Sequence, residues 1–346
     1  MIKSLNHLQS SIGPKVIDND KTYLYFGGTA YLGIPQSDDF LTIYLEGLKK
    51  YGLNNGTSRG NNVQLGIYDE AEICAAKRFG AEASLITSSG YLAAQLVVKF
   101  TSGFGEIRYA PDTHPALWNN EKPKVNQSFN EWTLGIVKEI NQSDQENWVL
   151  ITNSMNNLYP ERYNFSFIEK LNKQVLLIID DSHGIGVNDN GLGVSKSLSR
   201  PANIEIVVIA SMAKALGVDA GLILGSEKII ALMKQRNEFL GASPPAAAGL
   251  YAFMHGEEIY AANLAKLKNN MNLLANELAG NENWNFITDF PVYLAKNTDL
   301  SRILKQKGVL ISSFPYPDKD GPMINRVVLS SWHNTSDIEQ LIQALN

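Results

Sequence analysis

The sequence predicts an α/β protein: a mostly parallel central sheet in a large domain, followed by a smaller α+β C-terminal domain. Three observations carry this. The runs "WVLITNS", "VLLIID" and "IVVIAS" have strand length and are apolar on consecutive residues, as strands buried on both faces are. Helical stretches such as 164–173 lie between them, and that alternation argues a layered α/β domain. Beyond the Pro pair Pro244-Pro245 the pattern changes to one or two long helices and then to short mixed pieces, "FITDFPVYLA", "GVLISSFPYP" and "NRVVLSSW". The expected division is an N-terminal arm over 1–35, a large domain over 36–240 and a small C-terminal domain over 241–346.

Taken in order, "LYFGGTAYLGI" suggests a short strand and a Gly-rich turn. "IYDEAEICAAKRF", 67–79, has good helix formers and an apolar stripe. "ASLITSSG" reads as a strand ending in a turn, and "YLAAQLVVKF" as a helix that starts there. The closing "TSDIEQLIQALN" reads as a helix with Thr335 or Ser336 at its N-cap.

With 346 residues, 44% of them hydrophobic and 19% charged, the chain can bury one large core or two smaller ones. A net charge of −5 gives no indication of a nucleic-acid or anionic-membrane surface. No apolar run reaches the roughly 18–20 residues of a membrane span. "MIKSLNHLQSSIG" lacks the basic-then-apolar layout of a secretory signal. The single cysteine, Cys74, excludes an internal disulfide and fits a small buried residue, with a reactive thiol as the other reading. A cytoplasmic protein is expected.

In an open α/β sheet, ligands bind beyond the carboxyl ends of the strands. The polar residues there are Ser88-Ser89-Gly90-Tyr91, Asn153-Ser154, Asp180-Asp181-Ser182-His183-Gly184 and Ser211-Met212-Ala213-Lys214. "TSSGYLAAQ" offers backbone N–H groups and a helix dipole to an anion; it also fits an ordinary strand–helix turn. Lys214 stands just past a buried strand among small residues. There it is either a desolvated amine suited to a Schiff base or a snorkelling side chain. "IIDDSHG" could hold a metal or part of a hydrolase triad. The five histidines (His7, His114, His183, His255, His333) form no HxxxH or HxH pair, which disfavours zinc, and no GxSxG elbow is present. An Asp at a buried strand end can instead hold a cationic cofactor nitrogen. An anion pocket, an amine and a buried carboxylate at successive strand ends suit one ligand, pyridoxal 5′-phosphate.

Along nearly its whole length the sequence resembles the PLP-dependent α-oxoamine synthases of the aspartate-aminotransferase fold, the PLP-dependent transferase fold type I. "DDSHGIGVNDNGLG" is similar to the family's D-[DE]-A-H-G-x-G-x-x-G-x-x-G-x-G, and "SMAKALG" to its T-x-x-K-x-x-G. The resemblance implies that Lys214 forms the Schiff base and later removes the α-proton. It implies that Asp180 pairs with the pyridinium nitrogen, His183 with the ring hydroxyl, and that His114, in "APDTHPAL", stacks on the ring. Ser89, Gly90 and Tyr91 match the phosphate turn, Ser211 the Thr before the lysine, and Arg326 the Arg that binds the substrate carboxylate. By position Asp181 is a bystander, and Ser182 replaces the usual Ala.

The departures fall at substrate positions. Thr29 stands where a substrate-contacting Asn is usual, Tyr68 replaces a His, Asn157 takes a Ser position, and Gly241 replaces a Thr that reaches the neighbouring subunit's phosphate. An N-terminal stretch of the usual member has no counterpart. "NNGTSRG" matches a stretch at the subunit contact, so a homodimer is implied. The implied activity is the decarboxylating condensation of an amino acid with an acyl-CoA to an α-amino ketone, nearest to the 8-amino-7-oxononanoate synthase pattern. The alternatives are a PLP-dependent aminotransferase or aldolase on the same frame, or a non-catalytic PLP-fold protein.

Overall fold

A computed structural model describes residues 5, 7–18, 21–156, 158–316 and 320–346. The chain divides into two compact units. The larger comprises Asp39–Asn156 and Arg162–Glu257, and the smaller Met1–Asp38, Asn157–Glu161 and Glu258–Asn346. The division thus falls at 257/258, where the sequence pattern suggests 240/241, and the N-terminal segment groups with the C-terminal part. The cause is packing: helix Ala247–His255 lies on helix Ile67–Phe79. Phe253 stacks on Phe79 at 6.4 Å and takes the Arg78 guanidinium 4.7 Å over its ring.

The larger unit is built on a six-stranded sheet in the order Ala83–Thr87, Gly221–Gly225, Ile204–Ser211, Gln174–Asp180, Asn147–Asn153, Glu106–Tyr109. The last four strands run parallel, and Gly221–Gly225 is antiparallel to both its neighbours. The aliphatic runs read from the sequence are these strands. Val149, Ile151, Leu176, Ile178, Val207 and Ile209 pack against Leu96 and Val97 of helix Gly90–Phe100. Each such fully buried side chain contributes about 1.5–3 kcal/mol. Asn153, Asp180 and Ser211 therefore end adjacent parallel strands on one edge, fixed by the registers Asn153↔Asp180 and Asp180↔Ile209.

The predicted helix 164–173 is only a 3-10 segment, Ser166–Lys170. Phe165 and Phe167 both turn to Phe129, at 5.9 and 6.2 Å. Residues two apart cannot share a face of an α-helix, so aromatic packing wins over local propensity.

In the smaller unit six strands form the order Lys15–Asp18, Lys21–Phe26, Val309–Pro315, Met323–Val328, Val292–Ala295, Trp284–Phe286. Only the pair Lys21–Phe26 with Val309–Pro315 is parallel. His333 is fully buried and stacks on Phe26 at 4.2 Å. Its Nδ1 accepts from the Ser330 amide (3.1 Å), leaving Nε2–H to donate to the Tyr25 carbonyl (2.9 Å). Helix Thr335–Leu345 is capped one residue before the expected position. Asn334 Oδ1 accepts from the Asp337 amide and Asp337 Oδ2 from the Asn334 amide, each at 2.9 Å. This reciprocal box satisfies two orphan donors at once, which Thr335 inside the first turn could not do.

Among the described residues, no helix is long and apolar enough to cross a membrane, and no group of three or more His, Cys, Asp or Glu could hold a metal ion.

Candidate active site

The strand ends of the larger unit bring Ser89-Gly90-Tyr91, His114, Asp180-His183 and Ser211-Lys214 to one edge of the sheet. Each is held by a local device.

Strand Ala83–Thr87 runs through Ser88 into helix Gly90–Phe100, whose N-cap is Ser89. The Ser89 hydroxyl accepts from the Leu92 amide at 3.1 Å. The Ser89 carbonyl takes the Ala93 amide and the Thr87 hydroxyl. The amides of Gly90 and Tyr91 precede the first intrahelical bond and point out of the helix N-terminus, as such orphan donors must. Two glycines make this approach possible. A Cβ on Gly90 would lie 2.6 Å from Ser211 Cβ, and one on Gly221 would lie 2.1 Å from the Ser89 carbonyl oxygen. The Tyr91 side chain is exposed.

Asp180 is the last residue of its strand and is buried. Its Oδ1 accepts from the Ser182 amide at 2.9 Å. The Ser182 hydroxyl accepts from the Ser211 amide at 2.8 Å. His183 follows, half-buried, in a turn whose Gly184 and Ile185 amides donate to the Asp181 carbonyl at 3.0 and 2.9 Å.

Asp181, a bystander by motif position, is a structural clasp. It is buried, and its Oδ2 accepts from the Val194 amide at 2.8 Å. A Cβ on Gly184 would lie 2.1 Å from its Oδ1, and one on Gly193 (φ +67°) 2.2 Å from its Oδ2. Gly184 and Gly193 of the motif are therefore required by this carboxylate. Burial pushes its pKa up to about 7, against the pull of Ser154 and the Val194 amide.

Lys214 lies half-buried in the loop from Ser211 to Gly221, between the buried Met212 and Ala215. The loop is closed by Met212 N to Ala220 O (2.9 Å) and Val218 N to Met212 O (3.2 Å).

His114 caps the 3-10 turn Pro115–Leu117, its Nδ1 accepting from the Ala116 amide at 3.2 Å. That bond places the proton of the neutral ring on Nε2. The residue is exposed to solvent over part of its surface, and its pKa is lowered. Partial burial is the main cause, the Lys214 ammonium adds to it, and the Asp180 carboxylate opposes it. The His114 backbone is set by Asn153: Oδ1 accepts from the His114 amide (3.2 Å) and Nδ2 donates to the Asp112 carbonyl (2.7 Å). Asp112, at φ 54°, also accepts from Asn156 at 3.0 Å. This support was not legible in the sequence beyond the placing of Asn153 at a strand end.

Arg326 and Thr29 belong to the smaller unit. Arg326 stands opposite Ser312 and Leu294, with its guanidinium 5.0 Å over the Phe314 ring. Burial lowers its pKa, and the neighbouring Tyr31 opposes this. Thr29 accepts the Tyr31 amide through its backbone carbonyl at 2.8 Å. Of the substituted positions, Tyr68 is buried beneath the Arg59 guanidinium (5.0 Å) and donates to the Pro245 carbonyl at 3.4 Å. Gly241 ends the short helix Asn237–Leu240 and is exposed. Asn157 lies outside the described residues.

Residues 123–345 match the model of the family described as aminotransferase class I and II. The chain belongs to this family. It is 25% identical to the 8-amino-7-oxononanoate synthase of Dechloromonas aromatica, over 98% of this chain and 93% of that one. With the synthase of Thermosipho melanesiensis it shares 24% over 96% and 90%. Serine palmitoyltransferase of Sphingomonas wittichii superposes with a TM-score of 0.82 at 14% identity, covering 98% of this chain and 90% of that chain. The 8-amino-7-oxononanoate synthase of Francisella tularensis superposes at 0.67 and 17%, covering 93% and 96%. The fold is the PLP-dependent transferase fold type I, and the family's cofactor, pyridoxal 5′-phosphate, is the one indicated. The residues present fit it. Outward amides at Gly90 and Tyr91 suit a phosphate, the buried Asp180 suits a protonated ring nitrogen, and Lys214 would offer an amine.

Proposed function

We propose that this protein is an acyltransferase of the α-oxoamine synthase type. It would condense an amino acid with an acyl-CoA, releasing CO2 and CoA and leaving an α-amino ketone. The observation that carries the reading is the meeting on one sheet edge of the Gly90 helix start, Asp180 and Ser211, with Lys214 in the loop that follows Ser211. The relatives named 8-amino-7-oxononanoate synthase, matched over nearly their full length, support the acyl condensation.

In this reading Lys214 would hold the cofactor through its amine, and Nζ would take the substrate's α-proton. The Asp180 carboxylate, fixed by the Ser182 amide, holds a proton on the ring nitrogen. His114, with its Nδ1 committed to the Ala116 amide, would pack against the cofactor. The Gly90 and Tyr91 amides bind the phosphate, Ser211 stands beside them, and His183 orients the ring hydroxyl. Arg326 takes the substrate carboxylate, for which a guanidinium fork is suited; Thr29 is assigned to the substrate as well. Bound here, the cofactor withdraws electrons from the substrate's α-carbon. Two copies of the chain, in the cytoplasm, complete the proposal.

Turnover of Ala, Gly and Ser against a panel of acyl-CoA thioesters tests it. CoA thiol and CO2 released together are expected, both abolished by Lys214→Ala. The family description favours transamination as a second reading. Keto acid formed without CoA release would establish that instead, and no turnover with any acyl or keto acceptor would leave a non-catalytic PLP-fold protein.

A further inference from the structure

The chain leaves the sheet at Asp181, and one hydrogen-bond rung is made in an unusual way. Asp181 N donates to the Ile209 carbonyl at 2.8 Å, as the parallel ladder requires. The next regular rung would run from the Ser211 amide to the Asp181 carbonyl. That carbonyl is committed to Gly184 N and Ile185 N, at 3.0 and 2.9 Å. The Ser182 hydroxyl takes its place, accepting from Ser211 N at 2.8 Å. The same residue's amide holds Asp180 Oδ1 at 2.9 Å. Ser182 is 8% exposed, so water is a poor substitute. Ser211 in turn abuts Gly90, where a Cβ would lie 2.8 Å from Ser211 Cα. It precedes Lys214 by three positions. Moving Ser211 would move the lysine loop and press on the helix N-terminus.

We propose that Ser182 is a positioning residue: through its amide and its hydroxyl it fixes the Asp180 carboxylate and the Lys214 strand end relative to each other. This rests on Asp180 and Lys214 holding pyridoxal 5′-phosphate. Ser182 stands where the motif this chain resembles has Ala. The rung also explains why an abrupt strand end, with its next carbonyl diverted into a turn, still presents the lysine loop in order.

The test uses the full-length protein with Ser182→Ala and Ser182→Thr, in three measurements. These are hydrogen exchange at the Ser211 amide without cofactor, the dissociation constant for added pyridoxal 5′-phosphate, and the pH midpoint of the bound cofactor's absorbance. Loss of one hydrogen bond predicts that Ser182→Ala exchanges about three- to tenfold faster at Ser211 and binds the cofactor about three- to tenfold more weakly. Its absorbance midpoint shifts, and Ser182→Thr moves these values back towards wild type. A folded Ser182→Ala protein with wild-type cofactor affinity and midpoint overturns the proposal, whatever its exchange rate. Should that variant not fold, the wild type decides: a Ser211 amide exchanging at the rate of a solvent-exposed loop overturns it too. A wild-type protein that takes up no cofactor would bring down the cofactor reading as well, so the two failures are distinguishable.

Discussion

The sheet edge of the larger unit and the Thr29–Arg326 region of the smaller unit meet their residues in different ways. At the sheet edge, backbone geometry dictates residue type. Gly90, Gly184, Gly193 and Gly221 each have an atom within 2.1–2.6 Å of where a Cβ would stand, and no other residue fits without a shift. In the smaller unit Arg326 occupies an ordinary antiparallel rung opposite Ser312 and Leu294. Thr29 contributes its backbone carbonyl, which any residue has. The first region tolerates almost no drift, whereas the second can change side chains without touching the fold. The glycines of the sheet edge agree with the motif, and the departure at Thr29 falls where only a backbone carbonyl is used.

The largest way to break the comparison is at Gly221. Gly221→Ala would set a Cβ 2.1 Å from the Ser89 carbonyl and 2.5 Å from the Thr87 hydroxyl. Overpacking of this kind costs about 1–3 kcal/mol, and cofactor uptake should fall with it. Gly225, on the same strand, has nothing closer than 3.7 Å. Gly225→Ala should melt at nearly the wild-type temperature, and equal losses at the two sites would refute the close-approach argument.

Arg326→Ala sharpens the other side. KM for the amino acid should rise about 10- to 100-fold, in line with loss of a charge-assisted contact. The melting temperature and cofactor affinity should stay near wild type. Arg326→Lys should recover little, because a point charge does not replace the fork. An unchanged KM would remove Arg326 from the substrate site.

A further test separates the two units by pH. Burial pushes Asp181, in the larger unit, up to about 7 from 3.8. The folded unit thus binds this proton more tightly than the unfolded chain, and that stabilisation is lost as pH rises from about 4 to 7. Burial lowers His333, in the smaller unit, from 6.5 to about 4. Its contribution is present above about pH 6.5 and is lost as pH falls towards 4. Each slope is at most about 1.4 kcal/mol per pH unit. Hydrogen exchange resolved by unit should show opposite trends, with Asp181→Asn flattening one and His333→Gln the other. Parallel trends would contradict the assignment.

How much was legible in the sequence follows the same line. The strands and the polar residues at their carboxyl ends could be read because long apolar runs carry them. Asp181 could not, because its role is to meet Gly184, Gly193 and Val194, and spacing does not reveal that contact. The Asn153–Asp112–His114 support joins two strand ends through one amide side chain. The 164–173 stretch lost its helix to Phe129, and Asn334 displaced Thr335 as the cap through a bond to Asp337. In each case a tertiary or reciprocal contact outweighed a local preference.

The central claim is that Lys214 carries the cofactor at this edge of the sheet. Borohydride reduction of the protein with pyridoxal 5′-phosphate, followed by peptide mapping, tests it most directly. The account predicts a yellow protein that loses its colour on reduction and one labelled peptide, containing Lys214, absent in Lys214→Ala. A colourless protein, or a label on another lysine, would contradict it.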